Sequence, residues 1–173
     1  MIKFLISIIV LFGLALIVFW IIRSLQKKRI YTFLSNINIS EIDAITGFQF
    51  EEIIAFLFKF FGYKTSLTKK SGDYGVDVFA TDRKIKYCIQ TKLYYNHSVG
   101  SSAIQQINTA KNYFLCDFAV VITNSKYSRQ SIDMATKLNV ILIDRQDLLN
   151  ILRAYKRRDK KYLKKLLEGK KNV

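Results

Sequence analysis

The chain opens on an unbroken apolar run: from Phe4 to Ile22 no residue is charged, and Ser7 is the only polar one. Nineteen residues at about 1.5 Å of rise nearly match a hydrocarbon core of about 30 Å, with Trp20 near one end where an indole favours an interface. A cleaved signal peptide is the rival reading. It fits less well, because only Lys3 precedes the run and no small-x-small cleavage site follows it. The pattern predicts a retained transmembrane anchor over residues 1–23 and a connector over 24–45, helical to Leu34 and broken by Asn36, Asn38 and Ser40. Arg23, Lys27, Lys28 and Arg29 follow the run whereas Lys3 alone precedes it. The positive-inside rule then puts the N-terminus outside and the remaining domain in the cytoplasm, at the cell membrane.

From Thr46 the periodicity changes. Phe48 to Phe61 lacks Gly and Pro and ends at Gly62, which predicts a helix with Thr46 as N-cap, Glu51 and Glu52 near its positive end and Gly62 just past its last turn. Tyr63 to Thr68 reads as a strand, and Lys69 to Gly75 as a polar, glycine-containing turn. Val76 to Thr81 and Ile85 to Leu93 are β-rich runs separated by a hairpin at Asp82-Arg83-Lys84. Val99 to Phe114 has helical spacing, with Ala103, Ile107, Ala110 and Phe114 on one stripe. Phe118 to Thr123 and Val140 to Ile143 are buried-strand candidates; Tyr127 to Leu138 and Arg145 to Leu152 read as helices. This order predicts an α/β domain over residues 46–152, a mixed central sheet flanked by helices with right-handed crossovers in its later units.

Composition adds an anionic partner. The 28 Lys and Arg against 13 Asp and Glu give a formal charge of +15, which points to nucleic acid or an acidic lipid surface. Cys88 and Cys116, the two cysteines, each lie in an apolar run and read as buried free thiols. With no CxxC and one histidine a zinc site is excluded, and His97, in a polar loop, reads as an exposed side chain.

Three polar groups interrupt the central strands. Asp77 lies between Val76 and Val78, so on a strand it points away from both, and Gln90 and Lys92, two apart, share one face of the next strand. Pairing the two runs as a hairpin brings the three together. A carboxylate and an amide oxygen are hard donors suited to Mg2+ or Mn2+. A lysine beside such an ion can orient an attacking water or stabilise charge on a phosphoryl group. Glu51 can approach from the preceding helix and join Asp77 and Gln90 as a metal ligand, directly or through a metal-bound water.

The stretch from about Thr46 to Leu152 resembles the catalytic domain of Mrr-type restriction endonucleases, within the PD-(D/E)xK nuclease superfamily. The resemblance runs through Gly47-Phe48-Gln49-Phe50-Glu51, Gly62-Tyr63, Ser71 to Asp77, Gln90-Thr91-Lys92, Val120 to Asn124 and Ile141 to Asp144. It implies a restriction-endonuclease-like fold, with Asp77 as principal metal ligand, Gln90 in a position commonly acidic in the superfamily, Lys92 as catalytic lysine and Glu51 as the helical acid. Val76 replaces the proline of the superfamily name.

Residues 153–173 form a basic tail, predicted as an amphipathic helix: ten Lys and Arg from Arg153 to Lys171 face only Asp159 and Glu168. Contact with DNA phosphates and contact with anionic lipid both suit it. Together these readings predict a membrane-anchored, Mg2+-dependent DNA endonuclease, dimeric if it cuts both strands. A catalytically inactive module tethering DNA at the membrane and a membrane-surface interaction protein are the alternatives.

Overall fold

The computed structural model describes residues 2–36, 39–68 and 74–171, so the predicted turn over Lys69 to Gly75 lies outside the described residues except at Tyr74 and Gly75. The chain divides into two units, Met1–Ile37 and Asn38–Val173.

The first unit is one helix, α1 (Ile2–Asn36). Here the sequence expectation is corrected: among the described residues no helix is long and apolar enough to cross a membrane. The transmembrane part of the fold, the single-pass cell-membrane localisation, the membrane as partner and the membrane-anchored form of the function all fall with it.

The second unit holds α2 (Ile39–Asp43), α3 (Gly47–Phe60), β1 (Lys64–Leu67), β2 (Val78–Asp82), β3 (Ile85–Lys92), α4 (Ser101–Tyr113), β4 (Phe118–Thr123), α5 (Arg129–Leu138), β5 (Val140–Ile143), α6 (Arg145–Lys156) and α7 (Tyr162–Lys170). Helix α3 starts at a capping box: Thr46 accepts from the Gln49 amide and the Gln49 side chain accepts from the Thr46 amide. It stops where Gly62 takes φ 102°, a conformation open to a residue without Cβ. The five strands stand in the order β1-β2-β3-β4-β5, antiparallel through β3 and parallel from β3 to β5. Arg83 and Lys84 alone join β2 to β3 in an antiparallel hairpin. Helices α4 and α5 are the crossovers that parallel pairing requires.

Alternation along the strands splits the core into two layers. Cys88, Ala119 and Val121 pack with Ala103, Ile104 and Ile107 of α4 and Ala135 of α5. On the other face Tyr87 meets Tyr63, which meets Phe58 of α3, and Phe56 and Phe60 of α3 pack edge-on against Tyr155 of α6. Helix α6 continues past Leu152 to Lys156, and after a break in which Arg158 takes φ 56° the chain resumes as α7, with Leu163 and Leu167 fully buried. The basic tail is thus two helical pieces packed on the domain, its apolar side already covered. Cys88 and Cys116 are free and buried, as read from the sequence.

Candidate active site

Asp77 precedes β2 by one residue rather than lying within it. Its amide donates to the Ile89 carbonyl at 2.9 Å while Val78 pairs with the same Ile89. Two residues therefore oppose one, the count of a β-bulge, a device that re-aims a side chain. The bulge is braced from β1: the Thr68 amide donates to the Asp77 carbonyl at 3.0 Å, and Thr68 Oγ1 donates to the Val76 carbonyl at 2.5 Å. The half-buried Asp77 carboxylate lands on β3, where Oδ2 accepts from the Thr91 amide at 2.6 Å and from Thr91 Oγ1 at 3.0 Å.

Thr91 stands between Gln90 and Lys92 in β3, so this bond ties Asp77 to the strand that carries both. Gln90 is 2% exposed. Its Nε2 donates to Gln106 Oε1 of α4 at 2.7 Å, which leaves Gln90 Oε1 buried with no hydrogen-bond partner among the described residues. An orphaned buried amide oxygen is unfavourable in an apolar core by about 1–3 kcal/mol, and a cation is one group that would satisfy it. Gly75 closes on the same pair. It holds φ 84°, and a Cβ there would fall 2.5 Å from Gln106 Cδ and 2.7 Å from Gln90 Nε2.

Lys92, half-buried at the C-terminal end of β3, has no ion-pair partner among the described residues; its carbonyl accepts from Thr123 Oγ1 at 2.7 Å. Glu51 is half-buried on α3, which lies on the opposite face of the sheet from the one where Gln90 meets α4. Among the described residues no three His, Cys, Asp or Glu side chains cluster to hold a metal ion.

Beyond Lys92 the loops after β3 and β4 and the start of α6 border a cleft of about 840 Å³, lined by residues that include Tyr94, Tyr95, Asn124 and Lys126. Its floor is tied down by a bidentate pair, Arg145 to Asp43, with both bonds at 2.7 Å. The Asn124 amide adds a 2.8 Å bond to Asp43, and its own carbonyl oxygen accepts from the Tyr94 amide at 2.8 Å. Arg145 and Asn124 hold the Asp43 carboxyl below its ordinary range against an opposing effect of burial. His97 is exposed.

Gln106 escaped the sequence reading. A polar residue among polar neighbours on an amphipathic helix carries no local signal, and only its 16-residue separation from Gln90 across the α4 packing gives it a role. Asp43 escaped for the same reason, its partner Arg145 lying 102 residues away.

A family model described as restriction endonuclease matches residues 42–152. No curated protein matches the chain. Among solved structures, the DNA modification-dependent restriction endonuclease AspBHI is similar over 76% of this chain and 38% of its own, with 22% identity and a TM-score of 0.59. The MspJI restriction endonuclease, solved with a 27-mer oligonucleotide, is similar over 86% of this chain and 35% of its own, at 18% identity and a TM-score of 0.48. A protein of unknown function is similar over 56% of each chain, at 19% identity and a TM-score of 0.49. In every case the chain spans less than two thirds of the other protein's length.

Proposed function

This chain belongs to the restriction endonuclease family, matched across residues 42–152, and on that footing we propose that it is a divalent-metal-dependent endodeoxyribonuclease hydrolysing phosphodiester bonds. The observation that carries the reading is the bond from the Thr91 amide to the Asp77 carboxylate at 2.6 Å. It fixes the acid to the strand that also carries Gln90, whose buried Oε1 has no hydrogen-bond partner among the described residues, and Lys92. The net charge of +15 suits a polyanionic substrate.

Asp77 and Gln90 are the residues to hold Mg2+, with Mn2+ as a substitute. Both offer hard oxygen donors, and the orphaned Gln90 Oε1 is the feature of the fold that such an ion fits. When bound, the ion supplies charge neutralisation at the phosphate and a more acidic water. Gln90 contributes no charge, so the site carries less negative charge than a two-acid site and depends more on substrate phosphate to complete it. Lys92 places an ammonium where negative charge grows on the phosphoryl oxygens, the kind of stabilisation that dominates such reactions. Glu51 takes an outer role, on a water, from the α3 side.

A supercoiled-plasmid nicking assay with and without Mg2+ tests the assignment. Asp77→Ala and Lys92→Ala are expected to abolish nicking while DNA binding persists. Nicking by both variants at the parent rate would remove these residues from the site, and a parent chain that binds DNA without nicking it under any divalent ion would overturn the enzymatic reading.

A further inference from the structure

A strongly basic surface of the folded unit lies at the wrong end of the sheet to serve the candidate active site. Asp77 and Lys92 stand at one end of the β2–β3 hairpin; its turn, Arg83-Lys84, stands at the other. Helix α7 belongs to the turn end. Lys164 Nζ lies 3.5 Å from Asp82 Oδ2, the last residue of β2, and Lys171 Nζ lies 3.7 Å from the ring centre of Phe118, the first residue of β4. Lys160 bonds to the carbonyl of Phe60, where α3 ends. The eight residues of β3 set the two ends about 25 Å apart at about 3.3 Å per residue.

The turn end is built to meet an anion. Arg157, Arg158, Lys161 and Lys165 are all exposed on the corner between α6 and α7, and Arg83 and Lys84 are exposed on the hairpin turn. From Arg153 to Lys171, Asp159 and Glu168 are the only acids against ten cations. The two helices that carry the charge are anchored, since Tyr155, Leu163 and Leu167 are buried. No large apolar side chain between residues 153 and 171 is exposed. A membrane-surface helix needs an apolar face to bury, whereas a phosphate backbone asks only for spaced cations on a firm support.

We propose that the α6–α7 corner and the β2–β3 turn form a second nucleic-acid surface, which grips the phosphate backbone of duplex DNA about 25 Å from the candidate active site. The duplex held there is a different stretch from the one presented to Asp77 and Lys92. The proposal shares the DNA substrate class with the functional reading, but it concerns binding and needs no cleavage.

Binding of the full-length Asp77→Ala chain to a duplex of about 40 base pairs, followed by fluorescence anisotropy from about 50 to 200 mM salt, tests it. Replacing Arg157, Arg158, Lys161 and Lys165 together by Glu is expected to weaken binding about tenfold or more and to flatten the salt dependence of log K by about three to four. The same four positions changed to Gln are expected to flatten the slope equally with a smaller loss, and this set decides the matter if the Glu set does not fold. Unchanged affinity and slope in a variant with the parent melting temperature would overturn the proposal. So would loss of binding to anionic phospholipid vesicles with duplex binding intact. Failure of the enzymatic reading looks different: a parent chain that binds duplex with the expected slope and never nicks it.

Discussion

The main-chain amide of Thr91 donates to the Asp77 carboxylate at 2.6 Å, and Thr91 Oγ1 adds a second contact at 3.0 Å. The acid is therefore pinned to the very strand that carries Gln90 and Lys92. Asp77→Asn keeps an oxygen for both bonds and removes only the charge. The expected result is a melting temperature within a few degrees of the parent and nicking slowed about 100-fold or more, a barrier change of about 2.7 kcal/mol. Rates within about threefold of the parent would show that the carboxylate charge is not used.

Gln106 should act on the site through Gln90. Gln106→Leu leaves the buried Gln90 Nε2 without its acceptor, a loss of about 1–3 kcal/mol in denaturant unfolding. It should also raise the Mn2+ concentration needed for half-saturation in calorimetric titration. Gln106→Glu retains an acceptor and is expected to restore stability and to lower that concentration. A purely structural Gln106 would change unfolding and leave the Mn2+ titration where it was.

Gly75→Ala is expected to be more harmful than its size suggests. The backbone there has φ 84°, and the new Cβ would meet Gln106 Cδ at 2.5 Å. The strained conformation contributes about 1–3 kcal/mol of destabilisation, and displacement of the Gln90–Gln106 pair adds a loss of nicking at saturating Mg2+. A crystal structure of the variant with the Gln90–Gln106 bond intact at 2.7 Å would contradict this account.

The Asp43–Arg145 pair gives stability a pH dependence. The Arg145 guanidinium and the Asn124 amide lower the Asp43 carboxyl from its ordinary 3.8. A carboxyl lowered by folding stabilises the native state above its unfolded value, and that contribution is lost as the pH falls through the lower folded value. The two side chains are 39% and 24% exposed, so solvent screening keeps the pair to about 1 kcal/mol. Arg145→Ala should therefore melt below the parent at pH 7, with the difference shrinking below about pH 4. A difference that stays constant down to pH 2 would mean that Arg145 acts by packing alone.

Much of the fold is legible in the sequence because single segments carry strong local signals. Thr46 and Gly62 bound α3 as their cap chemistry requires, and the runs Phe118–Thr123 and Val140–Ile143 are strands to the residue. The legible part of the site is the hairpin that sets Asp77 against the strand carrying Gln90 and Lys92. Less legible is how it does so, since alternation assumes an unbroken strand and the bulge at Ile89 breaks the count. Gln106 and Asp43 were hidden by long-range pairing. The apolar N-terminal run shows the limit of composition: nineteen residues with no charge among them do not by themselves establish a spanning helix.

The strands of the sheet stand side by side in the same order as they occur along the chain. Each strand therefore meets its neighbour among residues just synthesised, and the sheet can be laid down one strand at a time as the polypeptide leaves the ribosome. Helix α7 follows the sheet along the chain, and its Leu163 and Leu167 are fully buried. Its turns thus seal the layer beneath them, so a ribosome stalled before Tyr162 would release a domain with its sheet complete and part of its core still wet.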